Sequence, residues 1–339
     1  MAIVTFGEIM LRLQPPAYQR FVQTGSYEAT FGGGEANVAV SLCNYGKQAV
    51  FVTGLPENEI GTACIGQLRR WGVDTTRIVR RPGRMGIYFC EKGASQRPSK
   101  VIYDRAGSVA AGLKPGDIDW KSVFAEAEWF HFTGITPALG DSVAALTLEA
   151  CKAAKEAGVP VSCDLNYRKK LWSREKAGEV MATLMPYVDL LIANEEDAAD
   201  VFGIRAAKSD VTRGELDLEG YRGVAEQLVS RFGVKKVAIT LRESISASRN
   251  LLSGLLYDGK EMFVSKKYDM QIVDRVGGGD SFGAGLIYGQ TGGMDDAASL
   301  EFAVAASCLK HSVEGDFNAV TAAEVLALCG GDGSGRVQR

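Results

Sequence analysis

A repeated alternation of short β-rich runs with longer amphipathic stretches constrains this chain more than any other feature. AIVTFGEI, AVFVTG, EWFHFTG, VPVSCDL, YVDLLIAN and KKVAITL are near-continuous apolar runs, the pattern of strands buried on both faces. Between them, EANVAVSLCNYG, EIGTACIGQLRRWG, DSVAALTLEACKAAKEAG and LEGYRGVAEQLVSRFG place apolar residues at helical spacing, and most end at Gly. Strand followed by helix, several times over, predicts an α/β fold with a mostly parallel sheet between helical layers. Two segments break the alternation. Residues about 10–31 and about 84–104 read as short strands and turns with no helix, and they predict a small separate β-sheet that could act as a lid. No linker-like stretch divides the 339 residues, so the chain reads as a single domain with these lid segments inserted. The Gly-rich end GGDGSGRVQR, residues 330–339, reads as a disordered tail.

Composition narrows the partners. With 46% hydrophobic and 23% charged residues, the chain has material for a large core. A formal net charge of -3 supplies no field to gather nucleic acid or an anionic membrane. MAIVTFGEIMLRL has no basic segment before its apolar residues and carries Glu8 among them, which makes a poor signal peptide, and no apolar run reaches the length of a membrane span. Seven scattered cysteines, none spaced CxxC, read as reduced small hydrophobes. The expected location is the cytoplasm.

Two glycine-rich turns precede helices. In DRVGGGDSFGAG, Gly277, Gly278 and Gly279 let the backbone approach a ligand closely, and the helix that follows offers free N–H groups at its positive end. That suits a phosphate. Asp280 stands in the first helical turn, where it could accept a proton from an attacking hydroxyl or simply cap the helix. In FGGGEANVAV, the approach at Gly33 and Gly34, with Glu35 and Asn37 beside it, would suit a polyol, though a plain helix-start turn explains it equally. Gly254 to Lys260 is a poor Walker loop, because Glu261 stands where Ser or Thr is required, and LYDGKE reads as a hairpin turn. His131 and His311 read as structural.

Taken together, GGGEANVAV and DRVGGGDSFGAG resemble the two signatures of the ribokinase-like (phosphofructokinase B) carbohydrate kinases, over essentially residues 2–328. IYDRAGS (102–108), DLNYRKKLW (164–172) and NEED (194–197) are similar to stretches of the 2-keto-3-deoxygluconate kinase branch. The resemblance implies a ribokinase-like three-layer α/β/α fold with a small β-sheet lid. It implies transfer of the γ-phosphate of ATP to a sugar-acid hydroxyl, with 2-keto-3-deoxygluconate going to its 6-phosphate and Asp280 as general base. The matching sugar contacts are Gly34, Tyr88, Tyr103, Arg105, Arg168 and Asp280, with Asp316 as a weaker match. Nucleotide contacts would be Asn166, Asn194, Thr240 and the amides of Gly277 to Gly279. Mg²⁺ would be held through water by Asn194 and Asp197, and Asp274 could help form a monovalent-cation site.

Three positions depart from the family pattern. Pro56-Glu57-Asn58 replaces a Gly-Asp-Asp run, Asp197 replaces a Glu, and Arg242 opens RESISAS where a Gly is expected. Arg105 and Arg168 would supply planar forks for a substrate carboxylate. Apolar and aromatic lid residues that read as exposed (Tyr88, Phe89, Val101, Ile102) predict a homodimer formed lid to lid. Two alternatives stay open: a kinase of the same fold for a neutral sugar such as fructose or ribose, and a catalytically silent sugar-binding protein.

Overall fold

Consecutive residues of a strand face opposite sides of its sheet, so a run that is apolar throughout must be covered on both sides. The computed structural model, which describes residues 1–194, 196–206, 218–331 and 333, shows this cover directly. Val4, Val52, Phe130 and Leu191 belong to one buried cluster, and their neighbours Ile3, Phe51, Trp129 and Leu190 belong to another on the opposite face. Each such side chain contributes roughly 1.5–3 kcal/mol relative to exposure. The two helical layers are thereby tied to the sheet.

In chain order the strands are β1 (Ala2–Phe6), β2 (Met10–Gln14), β3 (Glu28–Gly32), β4 (Ala49–Pro56), β5 (Ile78–Arg81), β6 (Ile87–Glu91), β7 (Lys100–Asp104), β8 (Ala127–Thr133), β9 (Val161–Asp164), β10 (Leu190–Ala193), β11 (Lys236–Ser244), β12 (Arg249–Tyr257), β13 (Met262–Val264) and β14 (Tyr268–Gln271). The central sheet runs β13-β12-β11-β10-β9-β8-β1-β4-β5, with β14 also paired to β12. From β5 to β11 every pairing is parallel, whereas β12 pairs antiparallel with β11, β13 and β14. The six expected buried strands are all in the parallel part. The antiparallel end was legible only as its turn at Asp258–Glu261, where the Asp258 carboxylate accepts from the Lys260 and Glu261 amides at 2.8 and 2.7 Å.

The two segments that lack helices pair with each other into a second sheet, β3-β2-β6-β7. Its outer pairs are antiparallel and its central pair, β2 with β6, is parallel. Tyr88 of β6 lies directly opposite Tyr103 of β7, ring centroids 6.1 Å apart. Tyr88 is buried, contrary to the expectation of exposure, while Ile102 stays exposed. Beyond Gly331 and Gly333, the expected disordered tail lies outside the described residues, as does Glu195 of the NEED string. No helix among the described residues is long and apolar enough to cross a membrane.

Candidate active site

Parallel α/β sheets leave a crevice outside the carboxyl ends of their strands, and here the second sheet faces that crevice. The cleft is about 380 Å³. Gly34, Tyr88, Tyr103, Arg105, Asn166, Arg168, Asn194, Asp197, Thr240, Gly277, Gly278, Gly279, Asp280 and Asp316 all line it. They come from nearly the whole length of the chain, and the fold brings these expected sugar, nucleotide and magnesium residues together.

The three glycines of the loop have different reasons to be glycine. Gly277 caps the helix Gly278–Thr291 with φ +87°, and a Cβ there would lie 2.1 Å from the Asp316 carbonyl. A Cβ on Gly278 would lie 2.4 Å from Cε1 of His311. A Cβ on Gly279 would meet nothing within 4 Å. Packing therefore accounts for two of the three, and the third leaves room on the cleft side; the Gly278 amide donates to the Arg275 carbonyl at 3.4 Å, whereas the Gly279 amide has no backbone partner among the described residues. This arrangement fits a phosphate.

Asp280 follows on the same turn. Asn37 Nδ2 donates to its Oδ2 at 2.6 Å, and the Asn37 Oδ1 accepts from the Gly33 amide at 3.3 Å, so one buried side chain links the two glycine turns. Asn37 stood beside the polyol turn in the sequence without a role. The structure gives it one. Enclosure in the cleft pushes the Asp280 carboxyl up to about 6, with Asp316 adding to the rise and Asn37, Arg168 and Lys310 opposing it. A carboxylate so placed is ionised at neutral pH and more basic than an ordinary aspartate. Glu35 also borders the cleft, but its buried carboxyl is taken up by hydrogen bonds within the protein. Its Oε1 accepts from the Thr133 amide and hydroxyl at 2.9 and 2.8 Å and from the Thr136 hydroxyl at 2.5 Å, and burial pushes it up to about 7.

At the lid end, the two arginines differ. Arg105 is already gripped: its Nε donates to Glu8 Oε2 at 2.7 Å, its Nη2 pairs with the same carboxylate, and its guanidinium stacks 5.6 Å from the Tyr103 ring. Glu8, buried just after β1, is a site residue that sequence reasoning met only as an obstacle to a signal peptide. Arg168 is exposed, donates only to the carbonyl of Tyr167 at 3.3 Å, and forms no ion pair among the described residues, although Asp164, Asp197 and Asp280 feel its charge. Asp316 is held from two sides, by Arg12 Nη1 at 2.7 Å and by the Tyr88 hydroxyl at 2.6 Å. Arg12 Nη2 also donates to Asp274 Oδ2 at 2.6 Å; the same oxygen accepts from the Gly315 amide and Oδ1 accepts from the Val276 amide, both at 3.1 Å. Asp274, expected near a cation site, thus has both oxygens engaged and does not line the cleft.

At the nucleotide end, Asn166 sits at φ +38°, a left-handed conformation uncommon outside glycine, fixed by the Asp164 carboxylate accepting its amide at 3.0 Å. Asp197 accepts from the Tyr167 amide at 3.2 Å and the Asn194 amide at 3.0 Å, so it ties the loops after β9 and β10 together. Asn194 Oδ1 in turn accepts from the amides of Glu196 and Asp197. Asp164 is pushed well above the usual carboxylate range by burial, with Asp197 and Asp280 adding to the rise. Three clustered carboxylates faced by Arg168 form a setting that suits a divalent cation, and none of the described residues forms a ready-made protein cage for one. Thr240 lies within β11, which continues through Arg242 to Ser244 where a glycine was expected. Pro56-Glu57-Asn58 lies away from the cleft, where Asn58 caps the helix Glu59–Arg70 by accepting from the Gly61 amide at 3.0 Å.

Comparison with known proteins gives a consistent result. The pfkB family carbohydrate kinase model matches residues 2–322. A crystal structure of 2-dehydro-3-deoxygluconokinase from Thermotoga maritima is 50% identical, covers 98% of this chain and 100% of its own, and superposes with a TM-score of 0.94. A 2-dehydro-3-deoxygalactonokinase of Haloferax volcanii is 33% identical over 97% of this chain and 97% of its own length. A 2-dehydro-3-deoxygluconokinase of Bacillus subtilis is 27% identical over 96% of this chain and 94% of its own.

Proposed function

The chain belongs to the pfkB family of carbohydrate kinases, and on that premise we propose that it phosphorylates a sugar acid, 2-keto-3-deoxygluconate, at its 6-hydroxyl with ATP. The observation that carries this reading is that one cleft holds Asp280 beside the open Gly279 together with Arg168, whose guanidinium forms no ion pair among the described residues. Phosphoryl transfer needs positioning, charge neutralisation and a base. The amides at Gly277 to Gly279 cradle the transferring phosphate. Asp280, oriented by Asn37, takes the proton of the attacking hydroxyl. Arg168 holds the sugar carboxylate, and the second edge of the Arg105 fork assists from a position fixed by Glu8. Tyr88, Tyr103, Gly34 and Asp316 shape the sugar end, and Asn166, Asn194 and Thr240 the nucleotide end. Asn194 and Asp197 would hold Mg²⁺ through water, with Asp164 beside them, and such an ion would supply charge neutralisation at the nucleotide phosphates.

Replacing Arg168 with Leu is expected to cost roughly ten- to a hundredfold in kcat/KM for the sugar acid, since hydrogen bonds to charged groups contribute about 1.5–3 kcal/mol. The KM for ATP should move much less. Arg105→Leu should cost a similar factor, but it also leaves the buried Glu8 without its cation, so Arg168→Leu is the cleaner test. A folded Arg168→Leu enzyme that discriminates acid from neutral sugar as the wild type does would refute the assignment.

The same reading makes the chain one kinase domain of the cytoplasm, where its seven unpaired cysteines remain reduced. It also makes it a homodimer joined through the lid. Ile102 is 54% exposed and Tyr103 39% exposed on β7, and an apolar edge strand calls for cover. Light scattering should give a dimer mass for the wild type and a monomer mass for Ile102→Asp. A monomeric wild type at working concentration would rule the dimer out.

A further inference from the structure

Lys310 is the last residue of the helix Asp296–Lys310 and has no exposed surface, an uncommon fate for a lysine. Among the described residues its ammonium makes one hydrogen bond, from Nζ to the Val313 carbonyl, 3.0 Å away. The side chain lies directly under the glycine loop: a Cβ on Gly277 would stand 3.1 Å from Lys310 Cε. Asp274, Asp316 and Asp280 face its ammonium, as does the guanidinium of Arg12. Asp274 is already bound by Arg12, so this pocket of carboxylates contains two fixed positive charges supplied by the chain itself. An inorganic cation entering there would have to share those carboxylates with both fixed charges and be repelled by each.

We propose that Lys310 is a positioning residue of the phosphoryl transfer: its buried ammonium is the fixed cation beneath the glycine loop, and transfer therefore proceeds without an inorganic monovalent cation. The proposal rests on the kinase reading above. Lys310 acts through other groups. It anchors the 310–313 turn behind Gly277, and its charge favours the ionised form of Asp280. The other groups facing Asp280 are Asn37, Asp316, Arg168 and Asp164, none of which lies on the helix that ends at Lys310.

The test has two parts. Wild-type turnover is measured at equal ionic strength in potassium, sodium and tetramethylammonium chloride, and the three rates should agree within about threefold. A larger stimulation by potassium or sodium overturns the proposal. Lys310→Met keeps the length and volume of the side chain while removing its charge. It is expected to lower kcat by roughly ten- to a hundredfold, and to move the acid limb of the kcat/KM–pH profile upward because Asp280 loses a stabilising positive charge. A folded Lys310→Met enzyme with wild-type kcat or an unmoved acid limb overturns it as well. A merely structural lysine would lower stability without moving that limb. If the variant does not fold, the salt comparison on the wild type decides alone. Failure of the kinase reading is distinguishable, because it would show as no ATP turnover with any sugar in any salt.

Discussion

Asp280→Asn is expected to lower kcat by about two to four orders of magnitude, the usual contribution of a positioned general base, while the protein stays folded. The amide is nearly the same size as the carboxyl and can still pair with Asn37, so neither the helix start nor the link between the two glycine turns is lost. What disappears is the proton acceptor. The wild-type pH profile follows from the same group. The Asp280 carboxyl is held near 6 by its enclosure in the cleft, and only its ionised form can take a proton. The kcat/KM should therefore be flat at neutral pH and fall about tenfold per unit below pH 6. In Asp280→Asn that limb should vanish along with the rate. A folded variant that turns over at a near-normal rate would remove Asp280 from the mechanism.

Arg12→Met should be the most destabilising single change at the site, costing about 3–5 kcal/mol, because it leaves the Asp274 and Asp316 carboxylates buried with their principal counter-charge gone. Arg12 is 1% exposed, so solvent screens these pairs very little. The comparison is Arg249→Met, which breaks an ion pair of similar length to Asp269 whose side chains are 49% and 48% exposed. That change should cost under about 1 kcal/mol. Urea denaturation of the two variants measures the difference. Arg12→Met should also raise the KM for the sugar, since Asp316 and Tyr88 are held in place through Arg12. Equal, small losses from both variants would show that Arg12 is not the centre of the cluster.

The parts of this fold that could be read from the sequence are those in which a local demand leaves a local mark. Strands covered on both faces must be largely apolar, and the six expected strands, all within the seven-stranded parallel part, are. A helix start that brings backbone against a neighbour at φ +87° needs glycine, and Gly277 is there. The central acids and amides of the cleft were legible through their strings, DLNYR and NEED, and they do converge in the structure.

What could not be read depends on partners far away in the chain. In MLRLQ no local signal says that Met10, Arg12 and Gln14 are the buried face of β2. Arg12 is buried because its acids lie 262 and 304 residues onward. Glu8 and Arg105 are likewise 97 residues apart. Neither partner of such a pair carries a mark of the other. Strands β12 to β14 were missed for a different reason. They extend an otherwise parallel sheet in the antiparallel sense, and strand–helix alternation contains no signal for that.

The central claim, that this cleft transfers phosphate to a sugar acid, is tested most directly by ATP turnover of the wild-type enzyme against a panel of sugars and sugar acids. The account predicts that 2-keto-3-deoxygluconate exceeds neutral sugars in kcat/KM by roughly ten- to a hundredfold, the factor expected for one or two charge-assisted contacts. Fructose or ribose proving the better substrate would contradict the sugar-acid assignment, and sugar binding with no ATP consumed would contradict the kinase itself.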